Sequence, residues 1–376
     1  MNEEREFTLG VEEEYQIIDR QTRELCNRSG KIIGLVREKL QPEEREVIQP
    51  EMYRSQVEIA TVVCQSLEEV RQELTRCRQT VIDAAEREGQ AIAAAGTHPF
   101  SDWQEQQLTP KTRYENLQAD FKQLISELII FGNHVHVALS DRDIALQVIN
   151  RVRIWLPVLL ALSANSPFWL GRNTGYMSYR TEMWTRLPMT GTPPVFTNNK
   201  DYQTAIDDLI TIGAINDPTN IYWDIRLSHK FPTIEFRVTD ICLTVEEAVT
   251  ITGLIRALVW TAYREVIDNL PLPQVRPEIV QVAQWYAARY GLTGNLIDVE
   301  GKIPVSAAEL VDNFLNYLRP ALEKFGDWQT ISNSVRQILE QGNGAQRQLA
   351  VYQKNQSFEE VVDYVIEQTK TFSAPE

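Results

Sequence analysis

Alternating apolar and polar residues mark four stretches of the chain as strands. The clearest stretch, 221–240, has apolar residues at every second position except at 229–232, which predicts two strands joined as a hairpin. The other stretches lie within 7–18, 50–64 and 129–139. Because residues two apart lie on the same side of a strand, each strand is expected to have one apolar face and one polar face.

Apolar residues at helical spacing predict amphipathic helices between and after these strands. Two helix starts carry capping boxes, Ser66 with Glu69 and Thr244 with Glu247. In such a box the serine or threonine hydroxyl and the glutamate carboxylate each accept a backbone N–H that the helix leaves unpaired. Both positions are therefore expected to begin helices.

The domain organisation follows from how these patterns are distributed. A length of 376 residues would allow two or three domains, but polar strand faces are spread over the whole of 7–240 and no segment repeats. From about residue 271 the pattern is almost wholly helical. We therefore expect one catalytic domain, 1–376, in which 271–376 forms a helical C-terminal layer.

The overall charge narrows the classes of partner. At a net charge of −15 and a pI near 4.9, the chain lacks the cationic surface with which proteins bind nucleic acid or anionic membranes. The most apolar stretch, 154–162, is broken by Pro157 and is far shorter than the ~20 residues of a membrane span. The cysteines form no C-x-x-C pair and the acidic start is unlike a signal peptide, so a cytoplasmic location is expected.

The polar faces of the predicted strands carry many charged and imidazole side chains. These candidate residues are Glu12 and Glu14, Glu58 with nearby Glu51, His134 and His136, Arg226, and Glu235 with Arg237. An exposed sheet face often alternates charge without any function, so one such pair alone is weak evidence. Several such faces in one chain, each backed by apolar residues, favour a shared site.

The chemistry of these side chains predicts a site for metal and nucleotide. If the strands form one sheet, their carboxylates converge and repel one another unless cations neutralise them, and oxygen ligands favour magnesium or manganese. Two arginines beside such ions suit a polyphosphate, because a guanidinium binds phosphate through two hydrogen bonds. The sequence has no G-x-x-x-x-G-K-[ST] loop, no G-x-G-x-x-G after a strand and no G-x-S-x-G elbow. Metals and side chains would therefore hold the phosphates.

Seven short motifs follow one another along nearly the whole chain. They are G-V-E-E-E-Y (10–15), E-I-A-T (58–61), G-T-H-P-F (96–100), F-G-N-H-V-H-V (131–137), T-G-Y-M-S-Y-R (174–180), W-D-I-R (223–226) and I-E-F-R-V-T-D (234–240). As an ordered set they resemble the type-2 glutamate–cysteine ligase family, also called the carboxylate–amine ligases, of the glutamine-synthetase-like superfamily. The resemblance implies an α+β fold with a curved, largely antiparallel sheet. ATP and magnesium would lie on its concave face, and helices would pack on its convex face.

The resemblance also implies roles for the candidate residues. The metals would be shared by Glu12, Glu14, Glu51, Glu58, His134 and Glu235. Arg237 would stabilise the transferring phosphoryl group and bind nucleotide together with His136. Arg226 and Arg180 would hold the carboxylate of the substrate. Arg237, Glu235 and Arg226 would thus form the catalytic group.

The implied reaction is an ATP-dependent ligation of two small molecules. The side-chain carboxylate of an amino acid, glutamate in the family's named activity, attacks the γ-phosphate of ATP, and an amine then displaces phosphate from the acyl phosphate. The amine would be cysteine, as in glutathione biosynthesis, or another amine. Two segments differ from the family's pattern: R-P-S is replaced by R-L-S (226–228), and H-V-H-V-G by H-V-H-V-A (134–138). The resemblance therefore does not define the side chains that line the pocket for the amine. A homodimer is compatible with the sequence.

Two other functions are also compatible with the residues. A zinc-dependent hydrolase could use the H-x-H pair His134 and His136, although a third neutral ligand and a task for the two arginines are missing. A non-catalytic member could bind nucleotide as a sensor. A non-catalytic sensor is disfavoured because every expected catalytic position is filled.

Overall fold

A seven-stranded antiparallel sheet lies at the centre of the computed structural model, which describes residues 6–372. The strands, numbered along the chain, are β1 (Leu9–Asp19), β2 (Ile48–Pro50), β3 (Gln56–Ala60), β4 (Gln90–Ala93), β5 (Gly132–Ala138), β6 (Phe168–Trp169), β7 (Arg172–Asn173), β8 (Thr190–Gly191), β9 (Tyr222–Trp223), β10 (Ile225–Leu227), β11 (Thr233–Asp240), β12 (Asn295–Asp298) and β13 (Ile303–Ser306). The sheet has the order β10-β11-β5-β1-β3-β2, and β4 pairs with the C-terminal part of β1. The remaining strands form three separate pairs, β6 with β7, β8 with β9 and β12 with β13.

Helices make up 52% of the structure and strands 17%, which confirms the α+β class. The helices are α1 (Ser29–Lys39), α2 (Leu67–Arg87), α3 (Thr112–Phe121), α4 (Gln123–Ser126), α5 (Arg142–Val152), α6 (Leu156–Ser163), α7 (Tyr179–Trp184), α8 (Asn199–Thr211), α9 (Val245–Ile267), α10 (Pro277–Tyr290), α11 (Ala307–Phe325), α12 (Trp328–Gln341), α13 (Gly344–Asn355) and α14 (Phe358–Thr369). Short 3₁₀ turns lie at Pro42–Val47, Trp103–Glu105, Arg153–Trp155 and Pro218–Asn220.

The apolar face of the sheet packs against helices. Helices α2 and α9 contact β1, and α5 and α6 contact β10 and β11. Leu9, Tyr15 and Phe236 from the strands are buried in one hydrophobic cluster that also includes Ile366 of α14. The C-terminal helices thus share a core with the sheet. That sharing agrees with the expected single domain, whose boundaries stay a prediction.

One charged residue lies on the apolar face of the sheet. Glu13 of β1 is fully buried, and its carboxylate accepts hydrogen bonds of 2.9 and 2.5 Å from Nε and Nη2 of Arg78 on α2. The Tyr15 hydroxyl donates to the same carboxylate. Arg78 also donates to the carbonyl oxygens of Cys242 and Leu243, which precede α9. The pair therefore ties β1, α2 and the start of α9 together inside the core.

The predicted hairpin forms, with one correction. β10 pairs with β11, and Arg226 lies opposite Glu235. The expected first strand is not continuous, because the N–H of Asp224 donates to the carbonyl of Gly191 and β9 pairs in parallel with β8. The residues before 229 therefore form two short strands in two different sheets.

Both predicted helix starts are confirmed. Ser66 Oγ accepts the N–H of Glu69 and α2 begins at the next residue after Ser66. Thr244 and Glu247 form the complete reciprocal capping box at the start of α9. In each case the cap pairs groups that the first helical turn leaves unpaired.

The C-terminal region differs from the wholly helical expectation. Strands β12 and β13 form an antiparallel hairpin between α10 and α11. Among their residues only Leu296 is buried. Four-residue strands with one buried side chain leave almost no period-two signal, which explains why the hairpin was missed.

One helical stretch of the described chain, Arg142–Ser163, is long and apolar enough to pass a test for membrane spans. Of its most apolar window, 83% is buried inside the protein. A core helix of a globular protein passes the same test, so the stretch is weak evidence for a membrane span.

Candidate active site

Three rows of polar side chains cross the face of the sheet that carries the even-numbered residues of β1. The rows are Arg226, Glu235 and His136; then His134 and Glu12; then Glu14 and Glu58. Within each row the residues lie opposite one another on neighbouring strands. Successive rows are two residues apart along a strand, or about 7 Å. The polar faces predicted from the sequence therefore form one continuous patch.

Glu235 lies between two arginines. Arg226 donates from Nε and Nη2 to its two carboxylate oxygens at 2.9 and 3.0 Å, and Arg237 Nη1 donates to Oε1 at 2.5 Å. Burial raises the pKa of this carboxyl, but the two arginine charges outweigh burial and hold the pKa far below its usual range. Glu235 is therefore an anion at neutral pH.

Arg226 has little hydrogen-bonding capacity left. Besides its two bonds to Glu235, its Nη1 donates to the carbonyl oxygens of Thr219 and Ile221. A guanidinium has about five N–H groups, so roughly one remains unused. In this arrangement the main effect of Arg226 is to orient Glu235.

Glu12 lies between the two histidines. Its Oε2 is 3.1 Å from His134 Nδ1, and its Oε1 is 3.5 Å from His136 Nε2. Burial raises the pKa of Glu12, but the hydrogen bonds and charges of the two imidazoles hold it well below its usual value. Glu12 is therefore also expected to be ionised.

The two histidines have different environments. Burial and the charge of Arg237 lower the pKa of His134 to about 4, so its imidazole is neutral, as a metal ligand must be. Burial lowers the pKa of His136 as well, but Glu12 and Glu235 outweigh it and raise the pKa above the ordinary value. His136 Nδ1 pairs with the hydroxyl of Thr233 at 2.9 Å. Its Nε2 is 3.5 Å from Glu12 Oε1, a long contact, and has no other partner within the described residues.

Three carboxylates meet at the other end of the patch. One oxygen each of Glu14, Glu51 and Glu58 lies within 4.8 Å of the others. Burial and the negative charge of Glu51 raise the pKa of Glu14 to about 7, and burial and the charges of Glu12 and Glu51 raise the pKa of Glu58 well above its usual value. The backbone N–H of Gly132 donates to Glu14 at 2.6 Å. With no cation beside them, Glu14 and Glu58 would bind protons more readily than ordinary glutamates.

Arg237 remains charged and carries an open donor. Its pKa is lowered by burial but raised further by the charge of Glu235, so it stays above the ordinary value. Its guanidinium lies 5.7 Å from the ring centre of Trp184. In the part of the chain that the structure describes, no acceptor pairs with its Nε.

Arg180 is buried beside Arg237 and is largely unpaired. Its Nη2 donates to the carbonyl of Arg237 at 3.2 Å, and its Nη1 is 3.9 Å from a carboxylate oxygen of Asp240. A Cβ on Gly132 would lie 2.4 Å from Nη2, so a side chain at this position would displace the Arg180 guanidinium. The Nε of Arg180 has no partner among residues 6–372.

Asp224 lies behind the site. It is 3% exposed, and burial raises its pKa to about 7 against the opposing charges of Arg180 and Arg237. Its carbonyl accepts the N–H of Arg237 at 2.8 Å. Asp224 therefore supports Arg237 and Arg180.

The predicted residues meet in one cavity of about 380 Å³. All ten line it: Glu12, Glu14, Glu51, Glu58, His134, His136, Arg180, Arg226, Glu235 and Arg237. These residues are far apart along the chain, and the antiparallel pairing of the strands from β1 to β11 brings them together.

The cavity also has walls that sequence reasoning did not predict. Lys111, Arg113 and Tyr114 reach it from the start of α3, and Trp184 reaches it from the end of α7. These residues come from helices and loops outside the sheet, so no strand periodicity marks them. Only the tertiary packing of these helices and loops brings the four residues to the cavity.

The donor set fits a hard divalent cation. Three half-buried carboxylates within 4.8 Å, two of them with raised pKa values, form a site that a dication would stabilise by neutralising their repulsion. Oxygen ligands of this type are preferred by magnesium and manganese. Among residues 6–372 this is the one group of three such side chains whose ligand atoms all lie within 4.8 Å of one another. It contains no histidine, which does not favour zinc.

Comparison with known proteins identifies the relatives of this chain. The model of the glutamate–cysteine ligase family 2 (GCS2) matches residues 8–367. A Rhodopirellula baltica protein with the provisional name glutamate–cysteine ligase 2 is 43% identical over 342 residues, which cover 91% of this chain and 92% of that protein.

Solved structures share the fold at low sequence identity. Glutamate–cysteine ligase from Francisella tularensis, in complex with AMP, has a TM-score of 0.67 at 12% identity and covers 97% of this chain and 89% of its own. A bifunctional glutathione synthetase from Pasteurella multocida has a TM-score of 0.70 at 15% identity over 97% of this chain and 52% of its own. These likenesses confirm the architecture expected from the sequence.

Proposed function

We propose, because the chain belongs to glutamate–cysteine ligase family 2, that it is an ATP- and magnesium-dependent ligase joining the side-chain carboxylate of glutamate to an amine. The single observation that carries this proposal is the cavity in which acidic, imidazole and guanidinium groups converge. A site with this charge pattern can bind a nucleotide polyphosphate, a divalent cation and a carboxylate together.

The reaction has two steps. A carboxylate oxygen of glutamate attacks the γ-phosphorus of ATP, the bond from that phosphorus to the β-phosphate oxygen breaks, and ADP leaves. The amine nitrogen then attacks the acyl carbon, the carbon–oxygen bond to phosphate breaks, and the nitrogen loses a proton as phosphate departs. Neither step needs a nucleophile from the protein, so catalysis rests on positioning and on neutralising charge.

Two groups of side chains would hold the cations. Glu14, Glu51 and Glu58 form one group, and Glu12 with neutral His134 and ionised Glu235 forms the other. Bound magnesium or manganese would neutralise phosphate charge. The arginines that flank Glu235 keep this carboxylate ionised and oriented toward the cavity.

Two further polar side chains, Arg237 and His136, would bind the phosphates of the nucleotide. Arg237 keeps its charge in the buried site and has an unpaired Nε among the described residues, so it can bind the γ-phosphoryl group. Among the described residues His136 Nε2 makes only the 3.5 Å contact to Glu12, and it would donate to the nucleotide phosphates.

The carboxylate of the amino-acid substrate would be held by Arg180. Arg226 uses most of its N–H groups on Glu235 and on backbone carbonyls, whereas Arg180 makes one hydrogen bond to the backbone. The geometry therefore favours Arg180 for substrate and leaves Arg226 to position Glu235.

The activity is tested most simply with hydroxylamine as the amine. Protein mixed with Mg-ATP, glutamate and hydroxylamine should release ADP and phosphate and form the γ-glutamyl hydroxamate, because hydroxylamine is small enough to reach an acyl phosphate in any acceptor site. Omission of glutamate is the control. A protein that forms no hydroxamate with glutamate or any other amino acid carboxylate would contradict the proposal.

Replacement of one carboxylate should weaken cation binding. We expect Glu58→Gln to lower the affinity for Mn²⁺ by about tenfold or more, because an amide cannot carry the charge that the cation neutralises. Titration of the metal-free protein with Mn²⁺, followed by electron paramagnetic resonance, measures this without turnover. Glu38→Gln, on the exposed side of α1, is the matched control. Equal affinities in the two variants would remove Glu58 from the metal site.

A further inference from the structure

The cavity has two chemically different ends along the strand direction. Beyond the row of His136 and Glu235 it is bounded by the 228–231 loop, where Lys230 and Phe231 reach the cavity and the Phe231 ring lies 6.3 Å from that of His136. Beyond the row of Glu14 and Glu58 the lining comes from α3, α4 and the end of α7.

The second end is walled by apolar side chains. Six of them are Leu117, Ile125, Leu128, Ile130, Leu187 and Tyr222. Each is less than a tenth exposed, so the wall is packed from behind. We call this part of the cavity the apolar end.

Several polar groups at the apolar end are already paired within the protein, and the charged side chains beside it are Lys111 and Arg113 at the start of α3. Trp184 Nε1 donates to the carbonyl of Tyr222 at 3.1 Å, and Gln56 Nε2 donates to the carbonyl of Ile130 at 2.9 Å. The hydroxyl of Tyr114 donates to the carbonyl of Pro50. A thiol or hydroxyl entering here would lose its bonds to water and find few replacements, which disfavours a polar group.

The apolar end adjoins the position where the acyl group would form. Tyr114 lines the cavity together with Glu51 and Glu58, and its hydroxyl lies 3.4 Å from the carbonyl oxygen of Pro50, the residue before Glu51, so this ring lies beside the carboxylate group. Salt bridges and hydrogen bonds hold the wall in place. Glu127 after α4 pairs with Arg186 after α7 at 2.6 Å, and Asp120 of α3 accepts from Asn216 at 3.2 Å.

The apolar end is therefore preformed and awaits a ligand with little polarity. Under the proposed function, His136 binds nucleotide phosphates, so the nucleotide extends toward the 228–231 loop and away from the apolar end. We infer that the amine acceptor is a primary amine with an apolar or aromatic body, which the apolar end buries while the nitrogen points at the acyl carbon. This inference rests on the proposed function and names its second substrate.

Two matched pairs of amines test the inference on the full-length, unaltered protein. Leucine is compared with cysteine, which both have a carboxylate, and isopentylamine with cysteamine, which both lack one. Within each pair one amine has an apolar body and the other has a thiol. With Mg-ATP and glutamate fixed, kcat/KM for the apolar member should exceed that of the thiol by about tenfold or more in both pairs, as expected for several methylene-sized groups in an apolar pocket. Formation of hydroxamate from hydroxylamine is measured in parallel.

The parallel reaction separates two kinds of failure. If hydroxamate forms but cysteine and cysteamine equal or exceed their apolar partners, the acceptor inference is wrong and the ligase proposal stands. If no hydroxamate forms, the ligase proposal itself fails.

A variant locates the preference in the structure. Leu117→Asn keeps the branched shape and the number of heavy atoms but places an amide in the apolar end, and we expect it to lower the leucine-to-cysteine ratio of kcat/KM by about tenfold. Leu124→Asn on the neighbouring helix α4, whose residue does not line the cavity, should leave the ratio unchanged. Thermal unfolding checks that both variants are folded. A raised KM for ATP with an unchanged ratio in Leu117→Asn would place the adenine there and overturn the inference.

Discussion

Replacing Arg237 by alanine is expected to lower kcat for ADP release about 10³-fold, while the dissociation constant of Mg-ATP changes little. The reason is that charge on the transferring phosphoryl group grows in the transition state, and the Arg237 guanidinium is a buried cation whose Nε is unpaired among the described residues. Stopped-flow or steady-state ADP release gives kcat, and calorimetric titration with a non-hydrolysable ATP analogue gives the affinity.

Two further variants give this prediction its controls. Arg172→Ala removes an exposed arginine of β7 and should leave kcat unchanged. Arg237→Lys keeps the charge but lacks the two-pronged geometry of a guanidinium, so its kcat should fall between those of the wild type and Arg237→Ala. Unchanged turnover in Arg237→Ala would assign the phosphoryl role to another residue. The melting temperature of each variant shows whether loss of the bond to Glu235 affects folding.

Arg78→Met should lower the free energy of unfolding by about 3–5 kcal/mol. Both members of the pair are fully buried, and removal of the guanidinium leaves the Glu13 carboxylate inside the core with only the hydroxyl of Tyr15 as its charge-assisted partner. The bonds from Arg78 to the carbonyls that precede α9 are lost as well. Urea unfolding followed by far-ultraviolet circular dichroism measures the change.

The matched control lies two residues away on the same helix. Arg76 pairs with Glu73 at 2.7 Å, but its side chain is 40% exposed, so Arg76→Met should change the free energy of unfolding by less than about 1 kcal/mol. Equal losses in Arg76→Met and Arg78→Met would mean that the buried pair does not hold β1 to α2.

The parts of the site that lie on strands could be predicted because a strand has a simple period. Residues two apart share a face, so Glu12 with Glu14 and His134 with His136 could be assigned to one surface before any pairing was known. That the strands would be neighbours was an assumption, and the order β11-β5-β1-β3 fulfils it.

Other parts could not be predicted because they depend on contacts between distant segments. Glu13 breaks the apolar row of β1, and only the position of α2 supplies Arg78 as its partner. The apolar end combines residues of α3 and α4 with residues of β9 and of the segments that follow α4 and α7. Buried helical residues give the same period whether they line a cavity or fill a core. The β12–β13 hairpin was missed because too few of its residues are buried.

The central claim is that a carboxylate oxygen of the substrate attacks the γ-phosphate. Glutamate labelled with ¹⁸O in its side-chain carboxylate tests this directly, with hydroxylamine as acceptor and mass spectrometry of the released phosphate. An acyl phosphate transfers one labelled oxygen to inorganic phosphate in each turnover, so the phosphate should carry one ¹⁸O for each hydroxamate formed. Unlabelled phosphate alongside product, or label in AMP instead, would contradict the account.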